Sequence, residues 1–169
     1  HHRILAFLEG ALGRDARKSG DSGEAVRRFE AAIELDASNA PGYLSLGDTR
    51  LEAGDTAGAI TAWERLVSEA PDRAYLAFSR LEAAYTTLEE PARFQALCRR
   101  LIGANPQDWR ARLALARHLS AAGGASDALE LLFEALVINP HALALHQAIW
   151  ETLSQLDLPQ PLVQRYIEL

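Results

Sequence analysis

The most constraining feature of this chain is that it repeats itself at an offset of 34 residues. Residues Gly20-Asp21 fall on Gly54-Asp55, and Phe29 falls on Trp63. A helix-forming sequence with a period near 34 residues is typical of stacked helical hairpins, each too small to bury its apolar face alone. The period therefore predicts an array of stacked hairpins with no domain boundary and no long linker.

The composition agrees with an all-helical chain. Alanine and leucine, both strong helix formers, number 31 and 27 of 169 residues, whereas valine, isoleucine and threonine together number 17. The net charge of −6 argues against a general nucleic-acid binder, whose surface is usually basic. One cysteine excludes a disulfide framework within the chain, and no apolar run approaches the roughly 20 residues that a bilayer span needs.

Each unit carries small and bulky apolar residues at fixed positions of two helices. The second unit shows this pattern in Tyr43, Leu46, Gly47, Gly54, Ala59, Trp63 and Pro71. The pattern resembles the tetratricopeptide repeat (TPR) family, and the resemblance implies an all-α, right-handed superhelical solenoid of antiparallel helix hairpins. We expect a single TPR array over residues 1–169. Its repeats span about 6–39, 40–74, 75–108 and 109–142, and a partial fifth hairpin spans 143–169.

The predicted turns and helix ends have local signals of their own. Glycines that can adopt the left-handed conformation at the end of a first helix are Gly20, Gly54 and Gly123. Asp21 can cap the helix that follows it. Glu89 replaces the turn glycine in repeat three, so we expect an irregular third hairpin. Asn105-Pro106 and Asn139-Pro140 should end second helices, because proline disfavours a helical residue before it.

We find no catalytic or metal-binding constellation in the sequence. His141 and His146 do not share a helix face, and no carboxylate stands at ligand spacing beside them. We interpret these two and His118 as surface or interface histidines. Cys98 occupies the repeat position that Phe29 fills in the first repeat, which predicts a packed core thiol. The sequence therefore predicts a non-enzymatic chain without a cofactor.

Arrays of this type usually bind partners on the concave face formed by their first helices. The repeat register assigns these side chains to that face: Arg14, Arg17, Lys18, Leu44, Asp48, Leu51, Glu52, Ser79, Arg110, Leu113, Arg117, Gln147 and Glu151. Because the charges alternate along the face, we expect a partner segment of mixed charge. An acidic partner would depend on Arg110 and Arg117. The carboxylate clamp of chaperone-tail receptors is not matched, since its positions hold Gly10, Arg14, Leu76 and Arg80.

Two stretches also resemble a narrower family, the bacterial lipopolysaccharide assembly protein B (LapB). They are Ala59-Ile60-Thr61-Ala62-Trp63-Glu64-Arg65 and Gly42-Tyr43-Leu44-Ser45-Leu46-Gly47-Asp48. The resemblance implies a cytoplasm-facing adaptor, tethered to the inner membrane by a segment outside this sequence. Such an adaptor regulates lipopolysaccharide assembly through a membrane protease and its deacetylase substrate. The sequence also has no methionine, which fits a core taken from a longer chain.

The leading functional hypothesis is a protein–protein interaction module, an adaptor for a protein or peptide partner. We expect no nucleic-acid partner, no membrane contact from this segment itself and a cytoplasmic location. Two alternatives stay open: a regulatory repeat domain of a larger enzyme, and a scaffold that self-associates through exposed end hairpins.

Overall fold

The computed structural model describes residues 1–156 and 160–168, and within these ranges all regular structure is helical. The chain divides into two compact units, His1–Glu89 and Glu90–Leu169. This division lies inside the third predicted repeat, at 75–108. The single array over residues 1–169 therefore stays a prediction, and the two units are described separately below.

The first unit consists of helical hairpins. Helices α1 (His2–Lys18) and α2 (Ser22–Leu35) form the first hairpin, and α3 (Ala40–Glu52) and α4 (Thr56–Glu69) form the second. A 3-10 helix (Pro71–Ala77) then leads into the shorter helix α5 (Phe78–Thr87).

In the second unit, α6 (Pro91–Ala104) precedes a hairpin of α7 (Trp109–Ala121) and α8 (Ala125–Ile138). Helices α9 (Leu143–Leu153) and α10 (Gln160–Glu168) follow. Helices α6 and α8 end immediately before Asn105 and Asn139, and Asn105 has an extended backbone with φ −135°. Both predicted proline stops are thus confirmed.

The turns follow the predicted local chemistry. Gly20, Gly54 and Gly123 have φ angles of 83°, 84° and 87°, in the left-handed region that favours glycine. Glu89, two residues after the end of α5, also has a positive φ, of 59°. Asp21 caps α2 by accepting a hydrogen bond from the backbone N–H of Glu24 at 2.9 Å. Both the turn glycines and the Asp21 cap are confirmed.

Small residues let the two helices of a hairpin approach closely. A Cβ added to Gly47 in α3 would overlap the indole of Trp63 in α4, and one added to Gly13 would lie 2.7 Å from the ring of Phe29. Because both large rings are only 1% exposed, the glycines provide the space in which these rings pack.

Two residues of the second unit that the sequence singles out are buried. Cys98 is fully buried, as predicted. His118 is also buried, at 8% exposure, and its ring centre lies 5.3 Å from that of Phe94. Of the two positions left open for His118, surface or interface, the structure therefore shows the interface, because α7 packs this residue against α6.

In the described parts of the chain, none of the helices is both long enough and apolar enough to cross a membrane.

Candidate partner-binding surface

Eight of the residues assigned to the concave face lie in the first unit, on the first helix of each successive hairpin. They are Arg14, Arg17 and Lys18 on α1, Leu44, Asp48, Leu51 and Glu52 on α3, and Ser79 on α5. All eight have at least part of their surface exposed. We call the surface formed by these residues the first-unit groove.

Two bidentate ion pairs cross the first-unit groove. Arg17 on α1 donates from Nε to Glu52 Oε2 at 2.8 Å, and its Nη2 donates to Oε1 of the same carboxylate. Arg80 on α5 donates from Nε to Asp48 Oδ1 at 2.6 Å and from Nη2 to Asp48 Oδ2 at 3.0 Å. Planar guanidinium groups favour this two-point geometry. The pairs link α1 to α3 and α3 to α5.

The hydrogen bonds of the ion pairs shift the pKa values of Arg17, Glu52 and Arg80. The hydrogen bond from Arg17 lowers the pKa of Glu52, and the same bond raises the pKa of Arg17. The hydrogen bond to Asp48 likewise raises the pKa of Arg80. Each guanidinium is therefore charged and held against a carboxylate, so each pair presents little net charge. A partner that approaches Arg17 or Arg80 meets a cation that is already neutralised.

A cleft of about 440 Å³ opens between α3 and α5, with Trp63 of α4 among its lining residues. It is lined by Asp48, Leu51, Thr56, Trp63, Ser79, Arg80, Ala83, Ala84 and Thr87. Three of these, Asp48, Leu51 and Ser79, were assigned to the concave face from the sequence. We call this site the α3–α5 cleft.

More of the exposed lining of the cleft is apolar than polar. Leu51 is 44% exposed, and Ala83 on α5 is exposed as well. Trp63 is only 1% exposed, and its Nε1 has no hydrogen-bond partner among the residues that the structure describes. The Asp48–Arg80 ion pair lies among the same lining residues. Such a site offers apolar surface next to an ion pair.

Three further residues of the first-unit groove do not line the α3–α5 cleft. Arg14 is exposed and lines a smaller cleft of about 190 Å³ together with Phe7 and Asn39. Lys18 is also exposed, and its Nζ lies 4.0 Å from the Asp15 carboxylate. Leu44 is half-buried. These residues are not among those that line the α3–α5 cleft.

The other assigned residues belong to the second unit. Arg117, Gln147 and Glu151 are exposed on α7 and α9. Arg110 is exposed too, and its guanidinium lies 4.5 Å from the ring centre of Trp109. Leu113 is only 8% exposed and belongs to the core cluster with Ala116 and Leu132, so it offers little surface to a partner.

Arg80 and Trp63 are among the cleft residues that the repeat register does not assign to the groove. From the sequence, Arg80 stands only at a carboxylate-clamp position and Trp63 only at a packing position. An acidic residue on α3 about one repeat before an arginine on α5 was an available signal for the Asp48–Arg80 pair. No sequence signal distinguishes a tryptophan that only packs from one that also lines a cleft.

Comparison with solved structures shows the same architecture in other proteins. A crystal structure of MamA superposes with a TM-score of 0.58 and 21% identity, covering 96% of this chain and 88% of that one. A MamA fragment from Desulfovibrio magneticus gives 0.57 and 16%, covering 97% and 92%. YrrB, described as a TPR protein with an unusual peptide-binding site, gives 0.53 and 18%, covering 95% and 82%. The prediction of an all-α fold of the TPR solenoid type is confirmed.

Sequence relatives agree with this fold. A TPR repeat-containing protein of Pseudomonas aeruginosa, PA0015, is 37% identical over 60 residues, which are 36% of this chain. The match spans 57% of that relative, a little over half its length. Family models described as tetratricopeptide repeat match residues 11–74, 44–108 and 89–167. The chain therefore belongs to the tetratricopeptide repeat family.

Proposed function

We propose that this chain is a non-enzymatic interaction module whose first unit binds an extended segment of a partner protein. The observation that carries the proposal is the α3–α5 cleft, which lies on the face assigned to partner binding by the repeat register. Its volume of about 440 Å³ falls within the roughly 300–1,000 Å³ of typical ligand pockets.

The lining of the cleft favours an apolar anchor residue in the partner. Leu51 and Ala83 offer exposed carbon surface, and full burial of a leucine or phenylalanine side chain is worth about 1.5–3 kcal/mol. Interfaces are commonly dominated by a few such anchors in a well-packed pocket. The anchor would therefore supply most of the affinity, and flanking residues would set the register.

The ion pairs favour a partner segment of low net charge near the cleft. Arg80 and Arg17 are already paired with Asp48 and Glu52, so an acidic segment would have to displace these carboxylates. Related evidence comes from YrrB, whose structure was described with a peptide-binding site. Its 18% identity supports a common fold, and the use of the face for peptides in this chain is our proposal.

The proposal can be tested by selecting peptides from a displayed random library on the immobilised wild-type chain. We expect the selected peptides to share one large apolar residue. The Leu51→Glu variant should bind them at least ten-fold more weakly, because a carboxylate would enter the apolar cleft. Titration by fluorescence anisotropy measures the affinities.

A matched control is Val137→Glu in the second unit. Val137 and Leu51 are both exposed apolar residues one position before the end of a helix, so glutamate has a similar local effect at each site. The control should bind the peptides with wild-type affinity. Peptides without a shared apolar residue, or equal binding by Leu51→Glu, would contradict the proposal.

A second, narrower proposal is that the partner belongs to lipopolysaccharide assembly. It is supported by the two LapB-like stretches, which contain Gly47 and Trp63. These two residues pack against each other within the second hairpin. Their presence is therefore explained by hairpin packing as well as by the family resemblance. Capture of the deacetylase from detergent-solubilised bacterial membranes by the wild-type chain, and its loss with Leu51→Glu, would support this partner. Capture by neither protein would exclude it.

A further alternative is a regulatory domain of a larger enzyme, which would also use the first-unit groove. The partner segment would then come from a catalytic domain of the same polypeptide. The longer reading frame that contains this sequence distinguishes the two cases, because only this alternative requires an adjoining catalytic domain.

A further inference from the structure

Helix α1 exposes a continuous apolar stripe that is separate from the first-unit groove. The stripe consists of Ile4, Leu5, Leu8 and Leu12, which are 48–65% exposed. At 100° per residue these side chains lie within about one quadrant of the helix, roughly opposite the buried residues Ala6, Gly10 and Gly13. We call this surface the α1 stripe.

The repeat register shows what kind of surface the α1 stripe is. Leu8 and Leu12 occupy the positions that Gly42 and Leu46 occupy one repeat later. In α3 both positions are buried, Gly42 next to Ile33 of α2, where α3 packs on the preceding hairpin. The α1 stripe is thus a helix-packing face. Leu12, at the repeat position of the buried Leu46, is 48% exposed.

We propose that the α1 stripe is covered by α1 of a second copy of this chain, packed antiparallel about a two-fold axis at Leu8. The apolar positions are symmetric about this residue. Ile4 and Leu12 lie four residues to either side, and Leu5 and Ala11 lie three residues to either side. An antiparallel copy therefore places Leu8 on Leu8, Ile4 on Leu12 and Leu5 on Ala11. A self-complementary patch of this kind is what a two-fold interface requires.

The end of the stripe favours the same orientation. Asp15 follows Leu12 along the same side of α1, and the symmetric position is His1, immediately before the helix. In the antiparallel pair, each Asp15 carboxylate lies beside the first turn of the partner helix. The helix dipole favours a negative charge there. A parallel pair would instead bring the two Asp15 carboxylates together.

A single pair of helices is a small interface, so we expect weak, concentration-dependent dimerisation. Sedimentation equilibrium of the full chain from about 5 to about 500 µM tests this, because weak complexes have dissociation constants in the micromolar to millimolar range. The mass should rise from 18.5 kDa toward twice that value. Leu8→Glu should stay monomeric over the whole range. Trp150→Glu, a mid-helix change at another exposed apolar residue, should dimerise like wild type.

Several results would overturn the proposal. A wild-type monomer at every concentration would mean that another protein or another helix covers the stripe. Dimerisation of Leu8→Glu to the wild-type extent, or its loss in Trp150→Glu, would place the interface elsewhere. The peptide titration of the first-unit groove is independent of these results, because Leu8 is not among the residues that line the α3–α5 cleft.

Cysteine cross-linking tests the orientation. Under oxidation by glutathione disulfide, Leu8→Cys should form a covalent dimer with itself, because each Leu8 meets its own symmetry mate. Ile4→Cys and Leu12→Cys should cross-link when mixed and not when alone. The wild-type chain is the control, since its Cys98 is fully buried. In a parallel pair, each position would meet its own copy. Self-cross-linking of Ile4→Cys alone and of Leu12→Cys alone would therefore indicate a parallel pair and overturn the proposed geometry.

Discussion

At the scale of single residues, the glycines of this chain meet different demands. Gly47 faces the indole of Trp63, whereas Gly103 in α6 has no neighbour within 4 Å of an added Cβ. The first is required for packing between helices, and the second only lowers helix propensity. A substitution to alanine therefore has opposite effects at the two positions.

We predict that Gly47→Ala lowers the free energy of unfolding by about 1–3 kcal/mol, because the added methyl group forces the fully packed Trp63 to move. Gly103→Ala should raise it by up to about 1 kcal/mol through improved helix propensity. Urea unfolding followed by circular dichroism measures both. A Gly47→Ala chain as stable as wild type would show that the α3–α4 contact adapts without cost.

Glu89 has a backbone conformation that favours glycine. Its φ of 59° lies in the left-handed region, where three other turns have Gly20, Gly54 and Gly123. Glu89→Gly removes the steric cost of a side chain there, so we expect a gain of about 0.5–1 kcal/mol in the free energy of unfolding.

The reverse substitution checks the same argument. Gly54→Ala, at φ 84°, should lose about 1 kcal/mol although an added Cβ has open space around it. Thermal unfolding by calorimetry compares the two variants. Opposite signs support the conformational explanation, and a loss of stability in Glu89→Gly would contradict it.

At the scale of helices, short polar residues fix where second helices begin. Asp55 accepts a hydrogen bond from the backbone N–H of Gly58 at 2.8 Å, as Asp21 does from Glu24 in the preceding hairpin. We predict that Asp55→Ala lowers the free energy of unfolding by about 1 kcal/mol. Asp55→Asn keeps a hydrogen-bond acceptor, so its free energy of unfolding should fall by only a few tenths of a kcal/mol. Equal losses in the two variants in urea unfolding would exclude the cap as the cause.

The end of α2 has an acid-sensitive carboxylate. Hydrogen bonds from the Oγ and backbone N–H of Ser38, with the Oγ bond the larger cause, lower the pKa of Asp36. A carboxylate with a lowered folded-state pKa stabilises the fold above its unfolded pKa of about 4. This contribution is lost as the pH falls through the folded-state pKa.

We therefore predict that Asp36→Asn makes the unfolding free energy less dependent on pH below about 4. Ser38→Ala should have the same effect, because it removes the side-chain hydrogen bond that lowers the pKa. Urea titrations at a series of pH values from neutral to acidic measure the dependence. A pH dependence that is unchanged in both variants would show that Asp36 does not contribute to it.

Local sequence signals determined most helix ends but not all. The Asn-Pro pairs, the turn glycines and the Asp21 cap act within a few residues, so they could be read directly from the sequence. The start of α5 could not, because the 3-10 helix from Pro71 to Ala77 depends on how this segment packs against α4. The sequence leaves open whether His118 lies at the surface or at an interface for a similar reason, since its burial depends on α6.

At the scale of the whole molecule, the repeat register predicted which side of the hairpins carries the candidate site. It placed Asp48, Leu51 and Ser79 on one face, and all three line the α3–α5 cleft. It did not predict the ion pairs across this face, because their formation depends on distances between neighbouring hairpins. For the same reason it assigned Leu113 to the surface, although its side chain is in the core.

Nuclear magnetic resonance can show whether a partner segment binds in the α3–α5 cleft. A library-selected peptide is titrated into the 15N-labelled chain, and the chemical shifts of backbone amides and tryptophan indoles are followed. We predict the largest changes at Leu51, Ser79 and Ala83 and at the Trp63 indole, with small changes on α9. Changes confined to the second unit or to the α1 stripe, with the cleft signals unmoved, would show that the cleft is not the binding site.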